Sequence, residues 1–189
     1  MRRVFYALVL AALLCSPVFG ASKTEMARMG TFLSNFTEQG MYNVNIDSIT
    51  SEELVHFGIW HNYINNFKSR IRRCPKRKCP YGSLIIDKKY VAESVRKYFD
   101  IDIDHTSTDN EHYDGKVYHF EGADGERTYY ADVTEVTQRG NIITMRGELY
   151  AAEDEEDRPA TFAAEAKTYK YNGKNTWSLH WINTEWEEE

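Results

Sequence analysis

The period of hydrophobicity changes once along this chain, near residue 115, and that change limits the folds open to it. Before it, apolar residues recur at helical spacing. Met26, Met29, Phe32, Leu33 and Phe36 fall on one face of a helix expected over residues 23–37, which Gly40 can end. Thr50 and Glu53 have the spacing of a capping box, in which each side chain answers a free backbone N–H, so a second helix is expected after Thr50. Its apolar face is expected to carry Phe57, Trp60, Ile64 and Phe67. Its polar face is expected to turn His61, Asn62, Asn65 and Asn66 to water. Asp87 caps a third helix over 88–99, with Val91, Val95, Tyr98 and Phe99 facing inward. After residue 115 the period is two. Segments 116–121, 128–137, 142–151, 161–171 and 176–186 read as strands, separated by turn residues of which Asn172-Gly173 is the strongest hairpin signal. In the last strand Trp177, Leu179 and Trp181 fall on one face. Short connections pair sequence neighbours. The expected fold is α+β: N-terminal helices packed on a C-terminal antiparallel β-meander of about four to five strands. No linker divides residues 21–189, which read as a single domain.

Residues 1–20 have the three zones of a signal peptide. Arg2 and Arg3 give a positive start, and Val4 to Leu14 is an uncharged apolar run. Pro17 then precedes Val18-Phe19-Gly20, where a signal peptidase reads small or short residues. The run is too short to span a bilayer. Cleavage after Gly20 is expected, giving a secreted or periplasmic protein with no stable membrane insertion afterwards. Cys15 follows Leu13-Leu14, where a lipobox wants small residues, so lipidation is not expected. Cleavage would remove Arg2 and Arg3 and no acid, taking the formal charge from −6 to −8. Such a chain is not a general nucleic-acid binder and favours basic partners.

One segment runs against that charge. Residues 70–80 hold Arg70, Arg72, Arg73, Lys76, Arg77 and Lys78, with Cys74 and Cys79 among them. In an oxidising compartment the two cysteines are expected to form a disulfide. That bond would hold Lys76, Arg77 and Lys78 on a tight exposed loop with little ordering entropy left to lose on binding. A zinc site on the same pair needs two more ligands, and no CxxC or HxxxH partner is present. A second charged run, Glu153-Asp154-Glu155-Glu156-Asp157, lies between two strands. It reads as a solvated loop or as an extended acidic finger for a basic cleft. Asp100, Asp102, Asp104 and Glu111 occupy positions 1, 3, 5 and 12 of a calcium-loop template, but His105 stands where the sharp turn needs glycine. The alternation of Phe99, Ile101 and Ile103 with the aspartates fits a half-buried strand better. G-x-S-x-G, H-E-x-x-H and a glycine-rich phosphate loop are all missing, so no catalytic residue, cofactor or metal ligand is assigned.

Residues 29–38, which include Phe32-Leu33-Ser34-Asn35-Phe36-Thr37-Glu38, and residues 57–66 resemble a group of uncharacterised secreted bacterial proteins. The resemblance implies a helical N-terminal half before a strand-rich half, and no activity. The expected function is that of an exported, non-enzymatic binding protein. Its basic loop (Arg72, Arg73, Lys76, Arg77, Lys78) or its acidic loop (Glu153–Asp157) would engage a protein or polyanionic macromolecule of the envelope. The rivals are an envelope hydrolase using carboxylates and histidines such as His61, with Asn65, and a calcium-stabilised structural domain.

Overall fold

The computed structural model describes residues 21–122 and 128–187. The expected signal peptide, residues 1–20, and most of the turn expected after residue 121 lie outside the described residues. Helix α1 (Lys23–Thr37) starts where Ser22 accepts a hydrogen bond from the Glu25 backbone, and it buries Met29, Phe32, Leu33 and Phe36 as its spacing requires. Helix α2 (Ser51–Arg70) starts at the Thr50–Glu53 capping box. Helix α3 (Lys88–Phe99) is capped by Asp87 and ends at Asp100 in the left-handed region, φ 58°.

The strands form two antiparallel sheets. Short strand β1 (Val44–Asn45) follows α1. Strands β2 (Ile71–Arg73) and β3 (Leu84–Asp87) flank the basic loop, and β4 (His112–Tyr113) and β5 (Val117–Phe120) follow α3. The C-terminal meander is β6 (Tyr129–Arg139), β7 (Ile142–Ala151), β8 (Ala160–Tyr171) and β9 (Lys174–Trp186). The first sheet has the order β1-β9-β8-β7-β6 and the second β2-β3-β5-β4. The fold is α+β, as the change of period requires. Strand β5, however, is not the first strand of the meander. It pairs with β3 through Leu84↔Phe120 to Asp87↔Val117, and with β4 through His112↔His119. The apolar run 84–86 between the proline-rich loop and α3 is too short to carry a period of its own, so β5's true partner was hidden.

Each sheet has its own core. Against the meander, Phe32, Phe36, Phe57, Tyr98 and Phe99 make an aromatic cluster, with Phe36 and Phe57 stacked at 5.2 Å and Phe57 and Phe99 edge-on at 4.9 Å. Against the second sheet, Val55, Ile59, Ile71, Ile86, Val91, Tyr118 and Phe120 are buried together. In β9 the expected parity breaks. Trp181 faces Glu165 and Leu179 faces Ala166, so His180 is an extra residue, and Leu179 and Ile182 both enter the core although three positions apart.

Helix α2 also departs from its expected faces. His61 and Asn62 are buried, while Ile64 and Phe67 are 43% and 44% exposed. The cause is Gly58. A Cβ there would fall 2.5 Å from Val91 Cγ1 and 2.9 Å from Val91 O, so α3 lies directly on the Gly58 side of α2. Asn62, one turn later, is then enclosed and donates to Tyr90 O and Ser94 Oγ, while Arg70 donates to its Oδ1. The helix kinks at Asn66 (φ −134°, ψ 18°) before running into β2.

Gly58→Ala tests this packing. Helix propensity alone favours alanine by about 1 kcal/mol. The clash with Val91 backbone costs about 1–3 kcal/mol, as overpacking does. A net loss of stability in urea denaturation is expected. A stabilised variant would mean that α3 does not rest on Gly58.

Candidate functional site

The basic segment is built on the edge of the second sheet. At Ile71 the backbone leaves the helical region (φ −98°, ψ 139°) and becomes β2. Ile71 is buried, and Arg72 and Arg73 pair with Ile85 and Leu84 while their side chains remain exposed. Cys74 N donates to Ser83 O at 2.8 Å, closing the loop that carries Lys76, Arg77 and Lys78. All five basic side chains are exposed, and none makes an ion pair among the described residues. Arg70 differs: it is held by Asn62 and Glu93. Beside Arg72 and Arg73 lies a half-open cleft of about 660 Å3, floored by Tyr63, Phe67, Ile71 and Leu84 and edged by Glu121.

The two thiols expected to form a disulfide are unbonded. His119 of β5 lies against both. Its Nδ1 is 3.3 Å from Cys79 Sγ and 3.7 Å from Cys74 Sγ. Gly82 makes this approach possible: at φ 126° it lies so close to β5 that a Cβ would fall 2.3 Å from Phe120 backbone. On the other side of the ring, His119 Nε2 is 3.1 Å from Asp114 Oδ2. Backbone N–H groups of Val117 and Lys116, and then His119, hold the Asp114 carboxyl well below the usual range. Nothing local marks His119, because its partners are about forty residues away and meet it only through the β3–β5 pairing.

The remaining sequence candidates separate. Glu153–Asp157 is no extended finger. Ala151 N donates to Asp157 O, Asp154 N to Ala151 O and Asp157 N to Asp154 O, which folds the run into consecutive turns with Glu153 to Glu156 exposed. The calcium template does not assemble: Arg96 holds Asp100 and Asp102, at 3.3 and 3.6 Å. Glu111 is buried and receives bonds from Trp60 Nε1, Thr108 Oγ1 and the His56 ring. Residues 101–108 form no strand either, because β4 begins only at His112.

The polar groups of the hydrolase reading do meet. Asn65 donates to Glu38 Oε1 at 2.6 Å and lies 3.4 Å from His61 Nδ1. Among the described residues His61 borders one groove, and Glu38 and Asn65 border another. His61 is stacked on Phe57 and packed against Tyr98, and burial, with Lys97 and Arg70 nearby, lowers its pKa from 6.5 to about 4.

Comparison with protein-family models, curated proteins and solved structures finds no match to this chain. Among the described residues no helix is long and apolar enough to cross a membrane.

His61 sets a pH dependence. The unfolded chain takes up a proton near pH 6.5 and the folded chain only near pH 4. This contribution to stability is therefore complete above pH 6.5, falls as pH drops, and levels off below about pH 4. The groups facing His61 across its groove are Lys97, Arg70 and Glu93, with Glu38 reached through Asn65. The full loss is about 3 kcal/mol. Denaturant melts of wild type and His61→Asn between pH 7 and pH 4 should converge by about that amount. Parallel curves would contradict it.

Proposed function

We propose that this is an exported, non-enzymatic binding protein whose basic loop captures an acidic segment of a partner protein. The observation that carries the reading is the set Arg72, Arg73, Lys76, Arg77 and Lys78, exposed and without acidic partners among the described residues, in a chain of net charge −6. In an acidic protein, uncommitted surface cations are surrounded by potential internal partners. Leaving them free forgoes those contacts and keeps a focused positive field. The adjoining cleft favours a protein over a simple polyanion. Tyr63, Phe67 and Leu84 offer an apolar floor that suits an aromatic or aliphatic anchor, and Arg72 and Arg73 stand beside it for flanking carboxylates. The export half of the reading rests on the sequence of residues 1–20.

The acidic loop is the weaker binding element, because its backbone turns back on itself and is not held out for insertion. The hydrolase reading has a polar trio in Glu38, Asn65 and His61, but among the described residues His61 borders one groove while Glu38 and Asn65 border another.

Binding to two immobilised probes tests the reading: a peptide with an aromatic residue between glutamates, and heparin. The peptide should bind better than heparin at equal ionic strength, and its affinity should fall as salt rises. The combined variant Lys76→Ser, Arg77→Ser, Lys78→Ser should slow association, leave dissociation nearly unchanged, and alter stability by only about 0.5 kcal/mol. Equal binding by wild type and variant at low and high salt would reduce the segment to a solvated turn.

A further inference from the structure

We propose that Cys74, Cys79 and His119 hold a divalent metal ion of the zinc class, with Asp114 positioning the imidazole. The three donor atoms lie within 4.8 Å of one another. In a tetrahedral zinc site, bonds of about 2.3 Å to sulfur and about 2.0–2.1 Å to nitrogen place sulfur and nitrogen about 3.6 Å apart. The observed separations from His119 Nδ1, 3.3 and 3.7 Å, bracket that value.

Hydrogen bonding alone leaves this arrangement unbalanced. An ionised Asp114 only accepts, so the His119 Nε2 that faces it at 3.1 Å carries the ring proton. Nδ1 then has one lone pair, and two sulfurs converge on it. One thiol is satisfied and the other is not. A cation shared by two thiolates and one imidazole satisfies all three. Asp114 is well placed to orient the ring: its Oδ1 accepts from the backbone of Lys116 and Val117, both at 2.9 Å, so the carboxylate is fixed before it meets His119. A ligand histidine whose second nitrogen donates to a carboxylate is the usual support of such sites.

The donor set selects the ion. Two sulfurs and one imidazole suit zinc, whereas calcium and magnesium take oxygen. Cys79 also borders a cleft of about 640 Å3 shared with Tyr81, His112 and Glu111, from which water would supply the fourth ligand. The ion would fasten both ends of the Cys74–Cys79 segment to β5 and thereby fix Lys76, Arg77 and Lys78. The proposal stands apart from the binding reading, because metal uptake is measured with no partner present.

The full chain should be isolated without added reductant or chelator and examined by native mass spectrometry with thiol alkylation. One zinc per chain and two alkylatable thiols after unfolding are expected. Cobalt(II), titrated into metal-free protein kept reduced, should bind one per chain with thiolate charge-transfer absorption. Cys74→Ser, Cys79→Ser and His119→Ala should lose that absorption, with far-ultraviolet circular dichroism reporting their folding. Asp114→Asn, which retains an Oδ1 acceptor for the backbone of Lys116 and Val117, should weaken zinc binding about 10- to 100-fold, with circular dichroism reporting its folding. Several results would overturn the proposal. One is a metal-free protein carrying a Cys74–Cys79 disulfide. Others are cobalt binding without thiolate absorption, a folded Cys74→Ser variant that binds as wild type does, and unchanged affinity in Asp114→Asn.

Discussion

Helix α2 has to serve two hydrophobic cores at once, and the rest of the molecule is arranged around that demand. Its Phe57 enters the aromatic cluster beneath the meander, while Val55 and Ile59 enter the core of the smaller sheet. A helix flanked on two sides cannot keep a simple apolar stripe and a wet polar face. Gly58 removes the side chain where α3 must approach, and Asn62 fills the seam with hydrogen bonds to α3 and to Arg70. Because α2 is held this firmly, the strand that continues from it, β2, leaves at a fixed place and direction. The basic segment starts from that fixed edge.

The loop that follows is anchored at its far end by β5. Gly82 brings the chain onto Phe120, and His119 meets both cysteines. Asp114 and the turn before β5 hold the imidazole from behind. Arg72 and Arg73 on the strand, and Lys76, Arg77 and Lys78 on the loop, are therefore presented by a fastened support. Preorganisation of this kind lowers the entropy lost on binding and lets surface charge act mainly on the rate of encounter. The thiol–imidazole cluster and the charged surface are thus two aspects of one loop.

Much of the architecture was legible in the sequence. The caps at Thr50 and Asp87, the helical spacing in α1 and α3, and the period-two segments of β6 to β9 are local signals, and they marked those elements to within a few residues. What could not be read depended on distant partners. The polar face of α2 is buried because α3 lies on Gly58. Strand β9 changes parity because of an extra residue opposite β8. Strand β5 pairs with a four-residue strand hidden beside the basic loop. The site divides in the same way. The exposed cations were evident from composition, whereas the role of Cys74 and Cys79 turned on a histidine that only sheet pairing brings to them. Close spacing and expected export favoured a disulfide, and His119 changes the chemistry available to the same two sulfurs.

What fastens the basic loop is decided by what lies between those sulfurs and His119 Nδ1. X-ray absorption at the zinc edge on the protein as isolated measures that environment directly. The expectation is two sulfur scatterers at about 2.3 Å and a nitrogen at about 2.0–2.1 Å, completed by one light atom. A shell of oxygen and nitrogen alone, as given by zinc bound at surface carboxylates and histidines, would contradict it.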